Sequence, residues 1–458
     1  MIDLDHIARY HENNRIEAKK AAGGFPHSLW ETYSAFANTI GGLILLGVEE
    51  DRDKGLHVTG IPDPDGYRAT FWRTVRDPAK VSACVVTEDD VTVQRVQGKD
   101  VLVISVPRAG RRDRPVYIGD SPFNGSYRRD GEGDYHCSPD EVRAMLRDRE
   151  DAPADLAVLE GWSPEDLSPA TLRRFRTLMA MRRPEHPWTQ LPDLAFLTEA
   201  GILGRGRDGA HPTIAGLLLL GRQSALREVF PQLRLTYREE GGAYLTTRGP
   251  GRPENLFDFY EMTASRLTAA AALLEPDRDA RDALAAALRE ALLNAILHAD
   301  YFGNGTLDVH WTASGLAVSN GGLLRPSPDE ARSGGRPDPR NVALARLFSL
   351  VRLGSGAGRG LKGIYALWAQ QGWRAPVLSE AFRAGITSLS LPLPRPSFTP
   401  DELTRQQVAE GLTDAVSADP DALAAALGLA PADVRRALEG LLADGLVTCA
   451  DGSYRLRA

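Results

Sequence analysis

The stretch Tyr33-Ser34-Ala35-Phe36-Ala37-Asn38-Thr39-Ile40-Gly41-Gly42-Leu43-Ile44-Leu45-Leu46-Gly47-Val48-Glu49-Glu50-Asp51 constrains this chain more than any other. It reads as the end of a helix, a glycine turn and a buried strand over 43–48. A continuous apolar run is what a strand covered on both faces requires. The Gly41-Gly42 pair permits a tight reversal that a side chain would obstruct. Three acids follow the strand at once, and Glu12, Glu17 and Lys19 lie upstream. A helix, turn and strand in this order can bring those charges to one edge. Glu17 and Lys19, two apart in an extended segment, point to one face.

Glu12, the triplet Glu17-Ala18-Lys19, the helix end from Ser34 to Thr39, Gly41-Gly42 and Gly47-Val48-Glu49-Glu50 together resemble the Schlafen AlbA-like domain, a nucleic-acid-binding module. Ala18 departs from the family pattern, which usually has an aromatic there, and the segment between Lys19 and Ser34 is short. Schlafen-family enzymes that cut structured RNA use three carboxylates. The resemblance therefore implies a catalytic and metal-holding set of Glu12, Glu17 and Glu50, with Asp51 as the alternative third acid. Lys19 would balance charge in the transition state. Clustered carboxylates suit Mg²⁺ or Mn²⁺. The alternative is that these charges are solvated, or serve the fold of a module that binds without cutting.

A chain of 458 residues is expected to hold roughly three domains, and 43% hydrophobic residues suffice for packed cores. The net charge of −7 excludes a generally basic nucleic-acid binder, so contacts with nucleic acid need local patches. No apolar run approaches the ~20 residues that span a membrane, and the charged residues 1–30 predict no secretory leader. The three cysteines, Cys84, Cys137 and Cys449, are widely spaced. They point to a reducing, cytoplasmic setting and away from a disulfide framework or a cysteine-built zinc site.

The expected class is α/β (α+β), in four stretches. Residues 1–150 form the Schlafen AlbA-like domain. Strands are expected at 43–48, 91–96 and 101–106, with further extended segments at 115–118 and 126–131. A helix with Ser138 as its cap and Pro139 in its first turn closes the unit. Arg128 and Arg129, in a Tyr-x-Arg segment that the family also shows, are candidates for a phosphate backbone; the alternative is solvated strand-end arginines. Residues 151–230 read as a mostly helical connection. Its run Pro212-Thr213-Ile214-Ala215-Gly216-Leu217-Leu218 resembles a segment found between Schlafen-like and ATPase-like domains, and structural packing is the default for it.

Residues 231–395 form the next unit. Glu290, Asn294 and His298 are spaced at four along an alanine-rich helix and share one face. This stripe resembles the first motif of the GHKL (Bergerat) ATPases, and more narrowly a helicase-related ATP-binding domain of bacterial regulators. The resemblance implies a Bergerat-like α/β sandwich that binds ATP. Asn294 would hold its Mg²⁺ and Glu290 would orient a water. Asn320-Gly321-Gly322 stands where the wider family has an aspartate, so binding is expected and turnover is not. Asp338-Pro339-Arg340-Asn341 resembles that subfamily's Arg-Asn-Pro segment. Gly354, Gly356 and Gly358 form a glycine-rich loop before a helix, a pattern that cradles phosphate. The cofactor set is thus Glu290, Asn294, His298, Asn320, Gly322, Gly354, Gly356 and Gly358.

Residues 396–458 follow a proline-punctuated linker. Two short helices, at 421–427 and 431–442, and a hairpin around Asp451-Gly452 resemble a small winged helix. Arg435 and Arg436 on its second helix, with Arg455 and Arg457 on the wing, could meet DNA. Two functions compete. One is a metal-dependent endoribonuclease acting on structured RNA such as tRNA. The other is an ATP-responsive DNA-binding regulator without nuclease activity. Because winged-helix and Schlafen-like proteins often pair, a homodimer is expected.

Overall fold

The computed structural model describes residues 12–51, 55–240, 244–246, 252–275, 277–303, 305–312, 314–335, 337–353, 360–393, 400–413, 419–444, 446–450 and 452–456. The architecture is mixed α/β, as the sequence leads one to expect. In the first unit a four-stranded sheet runs in the order Ile16–Lys19, Gly42–Leu46, Lys99–Val106, Val91–Val96. The first pair is parallel, with Glu17 opposite Ile44 and Lys19 opposite Leu46; the others are antiparallel. Ile44 and Leu46 enter one apolar cluster, with Tyr33, Phe36 and Phe71, while Leu45 enters another with Ile16, Val101 and Val103. Both faces of the Gly42–Leu46 strand are therefore covered, which accounts for its unbroken apolar run.

The glycine pair is sterically required. Gly41 has φ +72°, and a Cβ on Gly42 would lie 2.6 Å from the Phe36 ring. The strand is shorter than expected. At Gly47 the chain leaves the sheet, and Val48–Glu50 pairs instead with Leu56–Val58 in a separate ribbon. The polar residues of the helix Leu29–Asn38 act as latches. Ser34 Oγ donates to Val116 O at 2.7 Å and accepts from Tyr127 N at 3.0 Å. Asn38 Nδ2 donates to Val116 O at 2.8 Å and to Tyr127 O at 3.0 Å, and its Oδ1 accepts from Val116 N at 2.8 Å. Residues 115–118 form bridges to Val81 and Ser126 in place of a strand. The helix Pro139–Arg149 has the expected cap, with Glu141 N donating to Ser138 Oγ at 3.3 Å.

The helical connection does not stand apart. All seven residues of Ile214–Leu220 are buried, and the helix packs on Leu256–Leu274. One apolar core runs from Leu167 to Leu393, so no break in the core marks residue 230. The six-stranded sheet of this core has the order Tyr244–Thr246, Arg234–Glu239, Thr306–Thr312, Gly315–Gly321, Ile386–Pro392, Val377–Ala381. Only Arg234–Glu239 and Thr306–Thr312 are paired in parallel among these described strands. Leu307, Val309, Leu316, Val318, Leu389 and Leu391 join the core. The intervening Asp308, His310, Ser319, Ser388 and Ser390 face the other way, as a period of two requires. Helices Leu256–Leu274, Arg278–His298, Val342–Leu350 and Gly360–Gln370 contribute to the same core.

The last unit has the expected helices, Pro420–Leu427 and Pro431–Ala443, and the hairpin Val447–Ala450/Ser453–Leu456. A further helix, Pro400–Thr413, supplies Val408 and Leu412 to its small core. Among the described residues, no helix is long and apolar enough to cross a membrane.

Candidate functional site

Two places collect the residues singled out by sequence. The first is the corner where the strands Ile16–Lys19 and Val48–Glu50 lie beside each other. Glu12 N donates to Glu50 Oε1 at 3.1 Å, and Ala18 N donates to Glu12 Oε1 at 2.9 Å. Glu12 is thus tied to Glu50 through its own backbone N–H. Burial raises the Glu12 carboxyl above its ordinary range; the Ala18 hydrogen bond opposes this, and Glu17 and Glu50 add to it. Of the two candidates for the third acid, Glu50 is the one that accepts from Glu12 N. Asp51 instead accepts from Gly55 N at 2.9 Å in the following turn.

Lys19 Nζ lies 2.8 Å from Glu17 Oε1, so the two share a face as their spacing requires. The other Glu17 oxygen, Oε2, is 3.0 Å from Arg129 Nη2. Both oxygens of Glu17 are thus engaged by cations. Among the described residues, no group of three His, Cys, Asp or Glu side chains is arranged to hold a metal ion.

Arg129 corrects its reading as a contact for nucleic acid. Its side chain is 1% exposed. It pairs with Asp134 at 2.9 Å, donates to Asn13 O at 2.9 Å, and lies 5.2 Å over the Phe36 ring. Asp134 in turn accepts from Thr32 Oγ1 at 2.6 Å. Arg128 is also held internally, 2.9 Å from Glu141 and 3.2 Å from Asp130. The Tyr127–Asp130 strand packs against the helix Leu29–Asn38, which draws these arginines inward. Asp130 and Asp134 are hairpin neighbours, but Glu17 and Asn13 are more than a hundred residues away, so local pattern could not reveal how far Arg129 is buried.

The second place is a cavity of about 600 Å³ between the helix Arg278–His298, the sheet and the helix Gly360–Gln370. Glu290, Asn294 and His298 line it, so the stripe faces this cavity rather than an open surface. Asn320 and Thr387 line it from neighbouring strands. Alternation predicts this, because both continue the inward face of Val318 and Leu389. Asn320 Nδ2 donates to Gly321 O at 3.0 Å, which leaves its Oδ1 as an acceptor. Asn294 Nδ2 is buried and has no hydrogen-bond partner among the described residues. A buried donor without a partner is costly, ~1–3 kcal/mol.

Gly360 completes the cradle. A Cβ there would lie 2.3 Å from Glu290 Oε1 and 2.8 Å from Asn294 Nδ2. The sequence had offered the preceding glycines; Gly354, Gly356 and Gly358 lie outside the described residues. Gly322 is displaced from its expected role. Among the described residues it does not line the cavity, and a Cβ on it would meet Arg340 Nη1 at 2.6 Å. His298 is neutral near pH 7, since burial, with Arg340 and Arg325 beside it, pushes its imidazole down to about 4. Arg435 and Arg436, on the Pro431–Ala443 helix, are 55% and 64% exposed. Arg457 lies outside the described residues.

Residues 12–138 match the family described as Schlafen, AlbA_2, and residues 143–236 match a domain of unknown function, DUF8451. The N-terminal domain of a RecG-related protein from Nitrosomonas europaea is 32% identical over 29% of this chain and 90% of its own, with a TM-score of 0.24. The DIP2311 protein from Corynebacterium diphtheriae is 20% identical over 97% of this chain and 92% of its own, with a TM-score of 0.41. No curated protein matches the chain.

Proposed function

We propose that this chain is a nucleic-acid-binding protein that responds to an adenine nucleotide. The observation that carries the reading is the cavity in which Glu290, Asn294, Asn320 and Gly360 converge around an orphaned amide. The Schlafen, AlbA_2 match over residues 12–138 supports a nucleic-acid-related role for the first unit. In the cavity, Asn320 Oδ1 would accept from an exocyclic amino group. The N-terminus of the helix Gly360–Gln370 would face phosphate, and Asn294 would offer its amide to ATP·Mg²⁺. The Asn at position 320 and the neutral His298 support binding more than turnover.

Calorimetry with ATP·Mg²⁺ tests the site. Heat is expected for the native chain, and Asn294→Ala is expected to weaken binding by about tenfold, ~1.4 kcal/mol. An absence of heat with the native chain would sink the reading. The exposed Arg435 and Arg436 are the proposed DNA contacts of the last unit. Their ion pairs with Asp421 (2.6 Å) and Asp433 (3.6 Å) lie at the surface and are cheap to exchange, ~0–1 kcal/mol. Changing both to Glu is expected to lower duplex DNA affinity and to reduce the slope of log K against log salt by about 2. Fluorescence anisotropy across a salt series reads both, and identical curves would remove this module from the interface.

A second reading, a metal-dependent endoribonuclease, is supported by one observation: Glu12 is bonded to Glu50 through its N–H, and its carboxyl feels the charges of both Glu17 and Glu50. Incubating the chain with tRNA and Mn²⁺ or with EDTA decides it. Metal-dependent cuts that Glu17→Ala removes would raise this reading above the first.

A further inference from the structure

The cavity is not built by the third unit alone. Gly110 and Arg111, from the loop that follows the Lys99–Val106 strand of the first unit, form part of its wall. Arg111 Nε donates to Asp338 Oδ2 at 2.8 Å, and Asp338 also lines the cavity. Beside this contact lies Asp148, in the last turn of the helix Pro139–Arg149. Arg340 grips it with two parallel hydrogen bonds, Nε to Oδ1 at 2.8 Å and Nη2 to Oδ2 at 2.7 Å. Arg325 Nε adds a third, to Oδ1 at 3.2 Å.

Arg340 also reaches the cavity helix. Its Nη1 donates to His298 O, and its Nη2 donates to Leu323 O at 2.8 Å. The next residue, Asn341, donates from Nδ2 to Leu297 O at 3.1 Å and to Ala299 O at 2.8 Å. A helix ends with carbonyls that lack intrahelical partners. Here Arg340 and Asn341 hold those of the Arg278–His298 helix, and Asp148 holds Arg340. The planar guanidinium fork fixes direction as well as distance. A chain of direct contacts thus runs from the helix Pro139–Arg149, which Glu141 ties to Arg128 of the first unit and in which the 143–236 match begins, through one arginine, to the helix that carries Glu290 and Asn294.

We infer that Asp148 is a positioning residue for the cavity: through Arg340 it fixes the His298 end of the cavity helix, so that ligand affinity in the third unit depends on the docked first unit. This rests on the nucleotide reading of the cavity. Linkage is reciprocal. Whatever docking adds to nucleotide affinity, the nucleotide adds to docking, which gives a physical route from nucleotide to the nucleic-acid-binding unit.

The test uses the full chain, as wild type, Asp148→Asn and Asp148→Glu. Titration with ATP·Mg²⁺ is combined with hydrogen exchange of residues 139–149. Asp148→Asn is expected to weaken ATP binding by about tenfold, and Asp148→Glu, which keeps the carboxylate for the guanidinium fork, to recover most of it. ATP is expected to slow exchange across 139–149 in the wild type and not in Asp148→Asn. A purely structural role for Asp148 would leave that ATP-dependent change intact in every variant that folds. Equal ATP affinity in wild type and Asp148→Asn overturns the inference, as does wild-type exchange at 139–149 that ignores ATP. The wild-type exchange result decides alone if Asp148→Asn does not fold. If the wild type binds no ATP, the nucleotide reading falls by itself. The positioning role is then read from exchange at 294–299, where equal protection in wild type and Asp148→Asn overturns it.

Discussion

Replacing Arg129 by methionine is expected to destabilise the first unit by about 3–5 kcal/mol, the typical cost of breaking a buried ion pair from one side. The guanidinium neutralises Glu17 and Asp134 at 3.0 and 2.9 Å, and its side chain is 1% exposed. Methionine fills much of the volume over the Phe36 ring but leaves both carboxylates short of a cation. Lys19 still reaches Glu17, and Thr32 still donates to Asp134, so the loss is partial and the unit still folds. At roughly 2–4 °C per kcal/mol the corresponding transition falls by about 10 °C. Arg129→Lys is expected to recover little, since an ammonium cannot serve two acids and the Asn13 carbonyl in one plane. Calorimetry of the full chain measures the effect. A transition that moves by less than about 1 °C, together with lost nucleic-acid affinity, would return Arg129 to the surface role that its sequence context suggests.

That contrast shows what kind of information the sequence carries. The Gly42–Leu46 strand was legible because burial on two faces leaves an unbroken apolar run, and because the Phe36 ring tolerates nothing larger than glycine at Gly42. The Glu290, Asn294 and His298 stripe was legible because a period of 3.6 fixes which residues share a face. Asn320 joined the same cavity because a period of two fixes which strand residues face the helices. Each of these is local geometry. What failed was partnership across the chain. Arg128 and Arg129 look like solvated strand-end charges until the Tyr127–Asp130 strand folds against the Leu29–Asn38 helix, where Arg129 meets Glu17 and Arg128 meets Glu141. Arg340 stood out only by a resemblance, and nothing local joins it or Arg325 to Asp148, nearly two hundred residues away. The leucine run 217–220 announces burial but not what covers it, which is the helix Leu256–Leu274 of the same core.

Alanine at position 360 is expected to weaken ATP·Mg²⁺ binding by about a hundredfold, ~2.7 kcal/mol. The added methyl would stand 2.3 Å from Glu290 Oε1 and 2.8 Å from Asn294 Nδ2, inside contact distance of both. Either the helix Gly360–Gln370 moves away or the two side chains turn aside, and both responses dismantle the cradle. Displacing the helix also withdraws its N-terminal N–H groups, the donors best placed for phosphate. Gly363, one turn along the same helix, supplies the control. It is exposed, and a methyl added there meets nothing within 4 Å. Gly363→Ala is expected to leave ATP affinity unchanged and to raise stability by up to ~1 kcal/mol, since alanine favours a helix interior. The pair separates a steric effect at the cavity from any general effect of alanine on this helix. Calorimetric titration of both variants against the native chain reads it, and equal ATP affinity in all three would place the nucleotide outside this cavity.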